Sequence, residues 1–188
     1  MQIYVACGLT HVPRHIFDQY CAYIHSLASA IEDVEGVKSV QYALVDSDPQ
    51  LSLKPSTERS TLCYEWDRRM VERANLVVAD ASFPSTGLGI ELQIAENRGT
   101  PIVMLIGDLG VNRTDSVRYD NPDGTSHDLQ VGAGIVSLMA LGLPNIHTFI
   151  EYSRYEGAVY QARTVIETYM RSSIPEPETE RSSIHTVK

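Results

Sequence analysis

The sequence predicts a single α/β domain: an open, mostly parallel sheet of about five strands with helices on both faces, Rossmann-like and of the flavodoxin type. Three observations carry that expectation. Short apolar runs bounded by polar turns, among them QIYVAC, NLVVAD and TPIVMLIGD, have the length and continuity of strands buried on both faces. Between them lie segments whose apolar residues recur three and four apart, the period of an amphipathic helix. The two kinds alternate along the chain, and alternation favours parallel pairing because each strand is joined to the next by a crossover.

Taken in order, QIYVAC is a first strand ending at Gly8, and Pro13 stands where a helix can begin. Ile16, Phe17, Tyr20, Ile24, Leu27 and Ile31 then mark one helical face. VKSVQYALV reads as a second strand, and DSDPQLSLKPSTERS as a polar, Pro-containing loop. In STLCYEWDRRMVERA, Leu62, Trp66, Met70 and Ala74 repeat at helical spacing, and NLVVAD follows as a compact buried strand. ASFPSTGLGIELQIAENRG is a loop plus helix, and TPIVMLIGD the next strand. Residues 108–128 are rich in Asp, Asn, Gly and Thr and long for a structureless connection, which suits a lid, a subunit contact or local disorder. LQVGAGIVSLMALGL reads as a helix weakened by Gly132 and Gly134, NIHTFIEY as a last strand, and RYEGAVYQARTVIETYM as a last helix with Tyr155, Val159, Ala162, Ile166 and Tyr169 on one side. Residues 1–172 are thus expected to form the domain, and 173–188, with Pro, Ser and charge but no period, a flexible tail.

Composition narrows the function. The chain has 188 residues, enough for one substantial core, with 43% apolar and 21% charged residues, close to a soluble average. No apolar run reaches the roughly 18 residues of a membrane span, and the first residues lack the pattern of a secretion signal, so a cytoplasmic protein without a membrane partner is expected. A net charge of −9 disfavours a nucleic-acid polymer as partner but leaves room for one nucleotide held by local donors. Cys7, Cys21 and Cys63 form no metal-binding or disulfide spacing, so reduced thiols and no metal are expected.

In a parallel sheet, ligands bind beyond the carboxyl ends of the strands. That rim would gather residues 8–14, 80–89 and 107 onward, including Gly8, His11, Arg14, Asp80, Ser82, Ser85, Gly87 and Gly89 as substrate contacts. The two glycines of PSTGLGIE would let backbone N–H groups approach a ligand closely, although a lone G-x-G without a third glycine is no dinucleotide fingerprint, and G-K-[ST] does not occur. Glu91, placed at the first turn of a helix, would be favoured as an anion by the macrodipole. It reads equally as a nucleophile or as a carboxylate that only complements the dipole. Asp67, inside the helix TLCYEWDRRM, reads as a second acid on the same rim or as a partner of Arg68 or Arg69 on a solvated face. Two such acids can divide glycosidic cleavage between a nucleophile and a proton donor.

IYVACG, YEWDRRMVERANLVVADAS and PSTGLGIELQIAENRGTPIVML, in this order and over about half of the chain, resemble the nucleoside 2-deoxyribosyltransferase-like superfamily, and most closely its 2'-deoxynucleoside 5'-monophosphate N-glycosidase branch. The G-x-G-x-E-L-x-x-A core is the most specific of the three. The resemblance implies Glu91 as the nucleophile that attacks C1', and Asp67 as proton donor near the base. It implies Tyr4 as the hydroxyl that orients the nucleophile, and a homodimer or larger homo-oligomer whose neighbouring copy completes the site. It implies no cofactor. Ser85, six residues before Glu91, stands where transferases acting on free nucleosides tend to carry an acid, and a hydroxyl there suits a 5'-phosphate that an acid would repel. Ser85 also fits a plain turn after Pro84. GLTHVPRH departs from the Ser- and Gly-rich phosphate loop of the monophosphate hydrolases, offering only Thr10, His11 and Arg14 as donors. The expected activity is hydrolysis of the N-glycosidic bond of a nucleoside 5'-monophosphate. Base exchange between deoxynucleosides is the alternative, and a nucleotide-sensing module the reading from another class. Burial and the nearby Glu91 would raise the carboxyl of Asp67 for its part as acid.

Overall fold

In a computed structural model, which describes residues 1–172, five parallel strands form the main sheet. They are β1 (Gln2–Cys7), β2 (Ser39–Tyr42), β3 (Leu76–Asp80), β4 (Ile102–Gly107) and a last strand, Ile146–Tyr152. Two short strands, β5 (Arg118–Asp120) and β6 (Ser126–Asp128), intervene and pair only with each other, so the last strand of the large sheet is β7. Its order is β2-β1-β3-β4-β7, the doubly wound arrangement in which the order reverses beside β1. The expected tail, 173–188, lies outside the described residues.

Every residue of β3 and β4 is buried, which is why their sequences run apolar without alternation. Alternate side chains serve two cores. Ile3, Val5, Leu76, Val78, Val103, Leu105 and Ile150 meet helices α1 (Phe17–Glu32) and α7 (Tyr155–Ser172) on one face. Tyr4, Ala6, Val77, Ala79 and Met104 meet α4 (Ser56–Arg73) and α5 (Thr86–Asn97) on the other. No helix among the described residues is long and apolar enough to cross a membrane, and the three cysteines are partly buried free thiols.

Three local expectations are corrected. The second strand stops at Tyr42, because the Asp46 carboxylate accepts the Tyr42 N–H at 2.9 Å and turns the chain into the short helix α2 (Ala43–Asp46). The polar loop after it contains α3 (Asp48–Ser52), with Pro49 in its first turn, and gives way to α4 directly after Pro55. The helix expected over 129–143 shrinks to α6 (Leu138–Leu141), because Gly132 and Gly134 take left-handed φ values of 60° and 80°. Residues 108–128, too long for a structureless connection, carry the β5–β6 hairpin, and Arg113 fastens their base by bonding Asp108 and the carbonyl of Ala133.

Candidate active site

β1 brings Tyr4 to the sheet face beneath α4 and α5, where its hydroxyl donates to Glu91 Oε1 at 2.7 Å. Tyr4 is buried, and that burial, with the charges of Glu91 and Asp67, holds its phenol well above the usual range. It therefore acts as a donor to the carboxylate. Glu91 itself is pushed up to about 8, first by burial and further by repulsion from Asp67, while the Tyr4 hydrogen bond pulls the other way.

Two expectations about Glu91 change. α5 begins at Thr86, so Glu91 lies in its second turn, where free N–H groups and the dipole no longer act. The carboxyl that its surroundings raise is that of Glu91, the residue expected to stay an anion. The first change follows from the Ser85 cap, which starts the helix five residues before Glu91, and the second from the inward direction of the side chain, which buries the carboxyl over β1.

Among the described residues Asp67, on α4, forms no ion pair. Arg68 binds Glu72 at 2.8 Å and Arg69 reaches Glu65 at 3.4 Å, each one turn away along the helix surface. Asp67 instead accepts the Cys63 thiol on Oδ2 at 3.3 Å, and its Oδ1 is buried with no partner. Burial, with Asp67 next, pushes that thiol up to about 11, so it remains a proton donor. Cys63, expected only as a reduced thiol, thus belongs to the site, and its four-residue spacing from Asp67 in a helix is the signal for it in the sequence. An unpaired buried carboxylate oxygen is costly in a resting protein and available to a ligand hydroxyl or N–H.

The other expected contacts divide. Ser85 caps α5, its Oγ accepting Leu88 N–H at 3.2 Å, and keeps its own proton free to donate. Gly87 and Gly89 are exposed on the first turn of α5, with open space beside Gly89. Gly8 is buried for a packing reason: a Cβ there would sit 2.8 Å from Ser85 Cβ and 2.9 Å from the carbonyl oxygen of Phe83. His11 and Arg14 are exposed in the loop after β1, and the Arg14 guanidinium lies 5.1 Å over the Phe17 ring. Asp80 and Ser82, expected as substrate contacts, are spent inside the fold. Both are fully buried, Asp80 under Tyr20, Tyr23 and Tyr152, and Ser82 bonded to Tyr152 and to Gly107 N–H. Both side chains sit on the α1/α7 face of the sheet, opposite Tyr4 and Glu91. The strands end on one rim, but alternate side chains leave it on opposite faces.

A cavity of about 630 Å³ opens beyond β4 and β7, between Phe149, Tyr152 and Ile135, and a smaller one of about 180 Å³ lies between Ser85, Gly89 and Ser137. Fold and site together define a doubly wound α/β protein with two acids and a buried tyrosine hydroxyl gathered under α4 and α5.

Among solved structures, a CMP N-glycosidase from Clostridium botulinum, BcmB, shares this fold with a TM-score of 0.51 at 16% identity, over 88% of this chain and 99% of that one. A conserved protein from Enterococcus faecalis V583 does so with a TM-score of 0.53 at 15% identity, over 87% and 98%. The resemblance carried by the three sequence motifs thus extends to the fold. No protein-family model matches the chain, and no curated protein does.

Proposed function

We propose that this protein is an N-glycosidase that hydrolyses the N-glycosidic bond of a nucleoside 5'-monophosphate through a covalent glycosyl-enzyme on Glu91. The observation that carries the reading is the Tyr4–Glu91 hydrogen bond of 2.7 Å beside an Asp67 with one buried, unpartnered oxygen. The sequence motifs and the shared fold with a CMP N-glycosidase support the same chemistry.

In the first step a Glu91 oxygen bonds C1', the C1'–N bond breaks, and its electron pair leaves with the base, which takes a proton from Asp67. In the second, Asp67 removes a proton from water, which attacks C1' and frees Glu91, giving base and sugar 5'-phosphate. Tyr4 holds one Glu91 oxygen so that the other is directed at the sugar. Ser85 donates to the phosphate, His11 and Arg14 of the exposed β1–α1 loop add to it, and Gly87 and Gly89 leave the backbone approachable.

The test is release of free base from a panel of nucleoside 5'-monophosphates and their nucleosides. Release from a monophosphate that disappears in Glu91→Ala is expected. Parental release by that variant removes the assignment, and formation of a new nucleoside when a second base is added turns the reading to a transferase.

A further inference from the structure

Asp80, the last residue of β3, is fully buried and spends both oxygens inside the fold. Oδ1 accepts the Tyr20 hydroxyl at 3.0 Å and the Ser82 N–H at 3.1 Å; Oδ2 accepts Tyr23 at 2.9 Å and Tyr152 at 2.7 Å. The Tyr152 proton is committed to Asp80, so the Ser82 hydroxyl donates to the Tyr152 oxygen at 3.0 Å while accepting Gly107 N–H at 2.7 Å. Gly107 has to be glycine for this: a Cβ would stand 2.5 Å from the Tyr152 ring. Asn112 closes the far side, donating to the carbonyls of Ser82 and Gly107 at 2.7 Å each.

A buried carboxylate is weak as a source of stability, since a well-packed apolar group of its size often serves as well. What four directed donors add is geometry. They come from α1, from β7 and from the turn 81–85, and they bind that turn to the ends of β3 and β4. Its other side is pressed against Gly8, and at its end Ser85 caps the helix that carries Glu91.

We propose that Asp80 is a positioning residue for the Glu91 site: held by Tyr20, Tyr23 and Tyr152, it fixes the turn 81–85 and so the placement of α5 over Tyr4. The proposal deepens the glycosidase reading and, in its kinetic part, rests on it. A displacement of about 1 Å in a reacting group costs on the order of 10²-fold in rate, so partial loosening of the turn shows first in kcat.

The experiment compares Tyr152→Phe, which removes one donor and the Ser82 acceptor, with Tyr155→Phe, whose ring stacks on Tyr23 at 4.5 Å without bonding Asp80. Base release and the ¹³C-detected titration of the Glu91 carboxyl are measured on each folded variant. Expected for Tyr152→Phe are a fall in kcat of about tenfold, KM within about twofold, and a displaced Glu91 titration; Tyr155→Phe changes none of these. A folded Tyr152→Phe with parental kcat and parental Glu91 titration overturns the proposal. If the parent releases no base, the glycosidase reading falls and the titration alone decides: displaced it supports the positioning role, unchanged it overturns it. Should Tyr152→Phe not fold, Asp80→Asn is judged by the same measurements, and failure of both to fold makes the network purely structural and ends the proposal.

Discussion

The Tyr4 hydroxyl donates to Glu91 Oε1 at 2.7 Å across 87 positions of chain, joining the first strand to the helix after the third. This bond is the one influence that pulls the Glu91 carboxyl down against burial. Tyr4→Phe therefore moves Glu91 further above about 8. At pH 7 the ionised fraction falls with it, and kcat/KM for base release drops by about tenfold for each unit of displacement. The pH profiles of parent and variant check this: superimposable profiles would show that the hydroxyl does not act on the nucleophile.

The ionised fraction of the nucleophile rises with pH through the Glu91 value of about 8, and kcat/KM of the parent rises with it for as long as Asp67 keeps the proton it gives to the base. Stability moves the opposite way. The folded carboxyl titrates above its ordinary 4.5, so between that value and about 8 the folded state holds a proton the unfolded state has lost. Stability from this group falls as pH rises through that window and is flat beyond it. Glu91→Gln is inactive and gains melting temperature over the parent progressively from pH 5 to pH 8, which thermal denaturation at stepped pH measures.

Asp67→Asn keeps the shape of the side chain and removes the acid. Base release falls by about 10²–10⁴-fold, the usual worth of general acid help, and falls least for bases that leave readily as anions. An equal loss for good and poor leaving bases would assign Asp67 a binding part instead.

Ser85→Asp separates phosphate recognition from folding. Aspartate caps a helix as well as serine does, so the melting temperature stays near that of the parent, while its charge opposes a 5'-phosphate. KM for monophosphates rises at least tenfold and that for free nucleosides does not. Equal effects on both substrates would remove the phosphate from this site.

The glycines differ in the space around them. Gly8→Ala drives a Cβ to 2.8 Å from Ser85 Cβ and 2.9 Å from the Phe83 carbonyl oxygen, and destabilises by about 1–3 kcal/mol. Gly89→Ala meets nothing within 4 Å inside a helix, and stabilises by about 0.5–1 kcal/mol. If substrate approaches the backbone there, the same variant loses affinity. Denaturant melts and KM together decide.

Much of the fold was legible because β3 and β4 are apolar throughout and α1 and α7 keep a helical period. The elements that differed, α2, α3 and the break at Gly132 and Gly134, turn on single side-chain bonds or single φ values that leave no period in the sequence. In the site, the motif around Glu91 and the helix carrying Asp67 stood out, and the place of Tyr4 beside Glu91 was implied only by the family resemblance. Asp80 and Ser82 end on the expected rim but are buried on its α1/α7 face, because membership of a rim is set by chain order whereas facing depends on strand register.

By itself the sequence determined the crossover pattern, the parallel sheet and the residue types capable of glycosidic chemistry, since these depend on local period and composition. Only the tertiary structure decided that the Glu91 carboxyl is raised, which oxygen of Asp67 is left unpaired, and that Asp80 is committed to three tyrosines. Those are consequences of desolvation and hydrogen bonding between groups dozens of residues apart, and such terms exist only once the chain has closed around them.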